Sequence, residues 1–509
     1  MPIRVYAEKF PDKPALIFEP GGGIVTYATL EENSARLARL LHENGLRRGD
    51  HIALLMENHP RFLEIVFAAL RSGLYVTAVN RYLTGPEAAY ILDDCGAQAL
   101  ITSANYLTLA AEAVRASARC QIRLVVGTEG KGFANYEQAI SRYSSEPLPS
   151  QAGDTMLYSS GTTGRPKGIK RPLPEGPFGE NSPNLDVYGI NEKAVYLSPA
   201  PLYHAAPLGY VIGTLIRGGT VVIMERFDAL EALALIEKYR VTHSQWVPTM
   251  FVRMLKLSQA ERDRFDLSSH RCAVHAAAPC PMDVKQQMIA WWGPILDEYY
   301  ASTERIGATR INSTEWLAHP GSVGRAAGDA TLHICGEDGS ELPVGQIGVI
   351  YFERPTASFA YHNDPEKTAS SCHPQHPNWV TVGDIGRVDE EGYLYLTDRK
   401  SFMIISGGVN VYPQAIEDAL VMHPAVLDVA VIGVPDPEMG EVVKAVVQLR
   451  AGEAPTPAMA EALMEFLRPK VARYALPKSI DFVDELPRLP TGKLYKKELR
   501  DRYWPAKSA

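Results

Sequence analysis

The chain has 509 residues, of which 46% are hydrophobic and 22% charged, and it carries a formal net charge of −8. Such a composition excludes wholesale disorder, and the length suits about three structural units with sizeable cores. A mildly acidic chain is a poor general binder of nucleic acid or anionic membrane, so any positive site has to be local.

The first 150 residues alternate helical and strand patterns. Thr26 to Gly45 reads as a helix, because Leu30, Leu37, Leu40 and Leu41 share a face and Gly45 can end it. His51 to Met56, Leu74 to Val79, Ala99 to Thr102 and Ile122 to Gly127 are short apolar runs suited to buried strands, with a helix around Phe62 to Ser72. The alternation recurs between about Asp186 and Pro320 and predicts parallel, doubly wound α/β structure. From Thr331 to Thr397 the texture changes to short alternating strands, which predicts a small antiparallel unit. Beyond Asp398-Arg399-Lys400-Ser401 a compact α+β region begins with a helix near Pro413 and ends in a basic segment.

The six cysteines include no CxxC pair, which argues against a disulfide framework or structural zinc and for a reducing, cytoplasmic setting. The opening residues lack the apolar core of a signal peptide. The most apolar long stretch, Val195 to Ile216, is interrupted by prolines and His204, so no transmembrane segment is expected; peripheral membrane contact stays open.

The strongest chemical signal is YSSGTTGRPKG, Tyr158 to Gly168. Glycines let backbone N–H groups approach an anion, hydroxyls add donors, and Lys167 adds charge, so this loop can wrap a polyphosphate. It is neither a Walker A loop nor GxGxxG. Read alone, a Ser/Thr/Gly loop is most often a polar turn; the full eleven-residue string lifts it above that.

This string resembles the phosphate loop of the adenylate-forming enzymes, the superfamily of acyl- and aryl-CoA synthetases, luciferases and peptide-synthetase adenylation domains. Further matches follow in family order: PLYH (Pro201 to His204), YYASTE (Tyr299 to Glu304), GSVGR (Gly321 to Arg325), VGDIGRVDEEGYLYLTDRK (Val382 to Lys400), SGGVNVYP (Ser406 to Pro413) and LPRLPTGKLYKKELR (Leu486 to Arg500). The resemblance implies a large N-terminal region, residues 1–397, of two doubly wound α/β subdomains plus a small β-barrel-like one. A hinge at 398–401 and a small mobile α+β C-terminal domain, 402–509, would follow.

It also implies an acid–CoA ligase working through acyl-AMP, with ATP, Mg2+ and coenzyme A. Ser159, Ser160, Gly161, Thr162, Thr163, Gly164 and Lys167 would hold the phosphates. Glu304 would hold Mg2+, which prefers carboxylate and phosphate oxygens. Thr303 would donate to the α-phosphate and Tyr300 would stack near adenine. Asp384 would accept the ribose hydroxyls with Arg399 assisting, and Gly407, Gly408 and Asn410 would line the thiol path. Lys493 is the candidate catalytic cation, a compact charge able to bridge carboxylate and α-phosphate; it would have to be carried to the core by the C-terminal domain. His204 is either a satisfied, partly buried histidine or a group at the acyl site.

Tyr203, His204, Trp246, Met250, Ala276, Ala277 and Ala278 are the candidate acyl pocket. These strings hold no acid to meet an ammonium group, and the alanine row leaves room for a fatty, aryl or steroid-like acid. Departures from the family pattern are Ala301 for a usual glycine, HAAAPC (His275 to Cys280) for a glycine-rich string, and Ser401 at the hinge. Loading of a carrier protein and a non-catalytic nucleotide-binding protein are the competing functions. The expected partners are small molecules, with no nucleic acid; a homodimer stays open.

Overall fold

The computed structural model describes all residues except 1, 160–165, 180–184, 356–358, 400–401, 408, 489–493 and 505–509; the side chains of 398, 399 and 497 are also left aside. Two large sheets form the core of the N-terminal region. The first runs Ala134–Asn135, Ile122–Val126, Ala99–Ser103, His51–Leu55, Tyr75–Ala78, Asp154–Thr155, parallel throughout. His51–Leu55 and Ala99–Ser103 are buried at every position, as unbroken apolar runs must be when helices cover both faces.

The second sheet has nine strands, with Val195–Ser198, Thr220–Met224, His243–Trp246, Cys272–His275 and Leu296–Ala301 parallel at its centre. Helices Ala205–Leu215, Ala229–Lys238, Pro248–Leu255 and Met282–Trp292 connect them. Chain order and sheet membership part at one place. Pro14–Glu19, at the start of the chain, leaves the first sheet and pairs parallel to Thr220–Met224 in the second, Leu16 opposite Val221. Both partners are continuous apolar runs, and local periodicity does not reveal which run pairs with which.

The third unit is antiparallel, as its alternating texture predicts: Thr331–Cys335, Gly348–Glu353, Trp379–Val380, Asp384–Val388 and Leu394–Arg399. A three-stranded sheet, Leu157–Ser159, Lys167–Lys170 and Ala360–Tyr361, lies beside it. Gly324 of the GSVGR string has φ 97°, and a Cβ there would strike the Arg310 carbonyl, so this crossing requires glycine.

The C-terminal unit is a sheet of Ile404–Ser406, Val409–Val411, Val426–Asp436, Gly440–Leu449 and Ser479–Val483. Its two faces sort by the strand period of two. Val429 and Val431 pack with Ile416, Leu420, Leu463 and Leu467 on one face, and Ala430, Ile432 and Val434 pack with Leu486 and Leu499 on the other. Full burial of a leucine contributes about 1.5–3 kcal/mol, so Leu486 and Leu499 pin both flanks of the segment that carries Lys493. Two α/β subdomains, a small β unit and a small α+β domain make up the architecture. No helix among the described residues is long and apolar enough to cross a membrane.

Candidate active site

A cavity of 540 Å³ opens where the strand Leu296–Ala301 ends, and Tyr299, Tyr300, Ala301, Ala277 and Asp384 are in its wall. This is the crevice outside the carboxyl ends of parallel strands, where α/β sheets bind ligands. The C-terminal unit closes the far side with Gln414, Glu417, Arg488, Leu494 and Lys496.

Tyr300 reaches the cavity from the last parallel strand, and its hydroxyl donates to Asp384 Oδ2 at 2.7 Å. Asp384 is buried and starts its strand directly opposite Arg399 in register, so the two residues expected at the ribose are cross-strand neighbours. A carboxylate with a phenol on one oxygen keeps acceptor capacity for further hydroxyls.

Glu304 follows the same strand by one turn and is 8% exposed, not the exposed acid its type suggests. The Tyr361 hydroxyl donates to its Oε1 at 2.8 Å. Tyr361 belongs to Ala360–Tyr361, which pairs with Lys167–Lys170, Tyr361 opposite Ile169. Lys167 pairs with Asp364 at 2.9 Å and lies 5.7 Å from the Tyr361 ring centroid. The phosphate-loop lysine and the candidate metal carboxylate therefore meet on one tyrosine. Asp94 anchors the same corner: it accepts from the Tyr158 hydroxyl at 2.5 Å and from the Asn363 amide at 3.2 Å.

Tyr361, Asp364 and Asp94 were not among the residues singled out by sequence. Neither were Lys496 and Glu417, a buried ion pair at 2.8 Å in which Glu417 Oε1 also accepts the Val431 N–H at 2.6 Å. The one available signal was the alternation in FAYHND, too short to distinguish from loop. Glu298 also faces the cavity, but Lys285 holds it at 2.5 Å; burial raises its carboxyl pKa while Lys285 opposes the rise.

Ser159 pairs with Lys167 at the base of the phosphate loop. Ser160, Gly161, Thr162, Thr163, Gly164, Gly408 and Lys493 lie outside the described residues, as does the Arg399 side chain. Thr303 stands in the turn between Tyr300 and Glu304. Gly407 has φ 56°, donates its N–H to the Met439 carbonyl at 2.9 Å, and sits with exposed Asn410 in a hairpin that is not part of the cavity wall. Arg488 and Leu494, which flank Lys493, pair with each other and do line it.

His204 caps the helix Ala205–Leu215 and packs on Tyr203, ring centroids 4.2 Å apart. Ala277 and Ala278 line the cavity. Trp246 is fully buried and donates to Ser244 Oγ at 2.5 Å among Phe227, Phe251 and Trp292; it fills the core of the second sheet. Met250 and Ala276 are buried beside it without lining this cavity.

No group of three or more His, Cys, Asp or Glu residues suited to a metal exists among the described residues. Glu304 is a single buried carboxylate beside a phosphate-loop lysine. That set suits Mg2+, which takes one or two carboxylates and completes its shell with phosphate oxygens and water.

The described residues thus bring Tyr300 and Asp384 to the cavity wall and join Glu304 to Lys167 through Tyr361. Residues 3–362 match the model of the AMP-binding enzyme family and residues 415–493 that of the AMP-binding enzyme C-terminal domain. A feruloyl-CoA synthase of Amycolatopsis sp is 35% identical over 494 residues, covering 95% of both chains. The fatty acid–[acyl-carrier-protein] ligase ScoC of Streptomyces coeruleorubidus is 32% identical over 98% of this chain and 95% of its own. Among solved structures, an anthranilate CoA ligase with bound anthranoyl-AMP superposes with a TM-score of 0.84 at 25% identity, covering 100% of this chain and 98% of the other. The chain belongs to the AMP-binding enzyme family, the adenylate-forming superfamily. It is an acid–thiol ligase that binds ATP and a carboxylic acid.

Proposed function

We propose that the protein is an ATP-dependent acid–CoA ligase acting on a hydrophobic fatty, aryl or steroid-like acid in the cytoplasm. Acyl-AMP forms with release of pyrophosphate, and coenzyme A then displaces AMP. The observation that carries this reading is the link from Lys167 through Tyr361 to Glu304, next along the chain from the cavity wall at Tyr300 and Ala301, with Arg488 and Leu494 in the same cavity's lining.

A carboxylate is a weak nucleophile and a poor electrophile, so catalysis consists of alignment and charge stabilisation. Lys167 offers charge to the β- and γ-phosphates. Glu304, oriented by Tyr361, would hold Mg2+, which would supply charge neutralisation at the phosphates. Asp384 and Tyr300 fix the nucleoside, with Arg399 beside them. Thr303 donates to the α-phosphate, and Lys493 bridges it to the substrate carboxylate. The C-terminal domain then turns about a hinge at 398–401 and brings the Gly407-Gly408 hairpin with Asn410 to the thiol path past His204. A few hinge residues suffice for such a motion.

Division of labour between the two half-reactions is the test. Lys493→Ala abolishes pyrophosphate release with any acid and spares thioester formation from supplied acyl-AMP; equal loss of both steps would falsify the assignment. A second reading, transfer to a carrier protein, draws on the similarity to the carrier-protein ligase. Substituting a phosphopantetheinylated carrier for coenzyme A in the second step separates the two.

A further inference from the structure

Beyond the Ser302–Arg305 turn lies a second cavity, of 360 Å³, between the two large sheets. One wall is a single stripe of the helix that starts at His204: Ala205, Leu208, Gly209 and Ile212, spaced i, i+3, i+4 and i+7. That stripe runs about 10 Å away from His204. Leu70, Leu157 and Phe178 add apolar wall, while Asp154, Arg171, Arg305 and Arg354 make the rest polar, Arg354 being paired with Asp329.

Gly209 lies inside this helix, where glycine is disfavoured relative to alanine. A Cβ built there meets nothing within 4 Å, so close packing does not require the glycine. The missing side chain leaves open space in the cavity.

Arg305 projects into the same cavity. Its φ of 53° is in the left-handed region, a conformation a long side chain adopts only when surrounding structure imposes it. Glu304 binds Tyr361, whereas the next side chain, Arg305, enters this second cavity. The Arg305 guanidinium makes no hydrogen bond or ion pair with any described residue. Asp154, the one acid on this wall, is taken by Arg171 at 2.5 Å and by the Thr155 N–H at 2.7 Å. Arg305 is exposed at the wall of this cavity, so an anion entering it can meet the guanidinium. A guanidinium so placed lacks an anion.

We propose that this cavity receives the far end of the acid, and that Arg305 selects acids carrying a second carboxylate at the end of an apolar spacer. The proposal rests on the ligase reading and narrows it. The spacer lies along Ala205 to Ile212, and the distal carboxylate meets the Arg305 fork. A monoacid of equal length would place a methyl group beside the guanidinium and forgo the ion pair.

The test compares adipate, suberate and sebacate with hexanoate, octanoate and decanoate in ATP-dependent pyrophosphate release without coenzyme A. Suberate is expected to exceed octanoate in kcat/KM on the order of tenfold or more, the scale of one charged hydrogen bond. Arg305→Gln levels the pair, and Arg305→Lys keeps much of the preference. Gly209→Leu, which fills the cavity from the other wall, shifts both series toward shorter acids. An unchanged suberate-to-octanoate ratio in Arg305→Gln overturns the proposal. So does an Arg305→Gln effect that is absent from pyrophosphate release and appears only as a raised KM for coenzyme A in a separate thioester assay, which would assign Arg305 to the thiol's phosphates. Calorimetric binding of suberate to the intact protein supplies a readout apart from turnover: binding by wild type that is lost in Arg305→Gln supports the cavity assignment, and absence of binding rejects it. No pyrophosphate release with any acid would defeat the ligase reading instead.

Discussion

The Tyr361 hydroxyl donates to Glu304 Oε1 at 2.8 Å, while Lys167 lies 5.7 Å from the ring of the same tyrosine. One aromatic side chain thus links the candidate metal carboxylate to the phosphate-loop cation. A buried carboxylate with a single fixed donor is oriented as well as stabilised, because its remaining lone pairs then point in set directions. A hydrogen bond to a charged acceptor is worth about 1.5–3 kcal/mol.

Tyr361→Phe is therefore expected to lower kcat/KM for ATP on the order of tenfold to a hundredfold and to raise the Mg2+ concentration needed for half-maximal pyrophosphate release. The ring and its packing remain, so thermal stability changes little. A Mg2+ dependence identical to wild type would show that Tyr361 does not orient Glu304.

Asp364 holds Lys167 at 2.9 Å across a partly exposed pair, 21% and 35% accessible. Exposed pairs contribute about 0–1 kcal/mol to stability, so Asp364→Ala costs little in melting temperature. It releases the lysine that the phosphate loop depends on. The KM for ATP is expected to rise several-fold with kcat nearly intact, since positioning in the ground state is what is lost. A fall in kcat with constant KM would mean that Asp364 acts on the chemical step.

Lys167 and Asp364 are 197 residues apart, which explains what the sequence withheld. Local patterning revealed the helix at Tyr27–Glu43, the buried strands and the change to antiparallel texture, because each is written in consecutive residues. The motif strings marked Glu304, Asp384 and Lys167 by their chemistry. Tyr361 and Asp364, which hold Glu304 and Lys167, and Asp94, which holds Tyr158 and Asn363, carry no motif and are brought in by strand pairings that periodicity does not encode. Trp246 shows a different limit. An aromatic at a strand end has the same local pattern whether it lines a cavity or fills a core, and packing with Trp292 and Phe251 decides for the core.

Ala277 stands in the wall of the 540 Å³ cavity with φ 77°. An L-residue in the left-handed region costs about 1–2 kcal/mol, and glycine removes that cost while adding about 0.4–1 kcal/mol of unfolded-chain entropy. Ala277→Gly is therefore expected to leave the melting temperature unchanged or slightly raised. It also removes one methyl from the wall beside Ala278, widening the range of acids that release pyrophosphate. A clear drop in melting temperature would show that the methyl packs usefully and that the backbone there is not strained.

Lys256 couples the large region to the C-terminal unit. Its ammonium donates to the carbonyls of Val426 at 2.7 Å and Leu427 at 3.0 Å, and Arg450 donates back to the Lys256 carbonyl at 3.4 Å. Burial at this contact lowers its pKa from 10.5 to about 8, with Arg450 and Arg253 adding to the shift and Asp428 opposing it. A lysine with a lower pKa in the docked state binds fewer protons docked than free. Raising the pH from about 8 toward 10.5 therefore favours docking, and below that window both states hold the proton and the dependence vanishes. Energy transfer between dyes on the large region and on the C-terminal sheet is expected to report tighter docking across that window in wild type and a flat profile in Lys256→Met. An equal slope in both proteins would place the titrating group elsewhere.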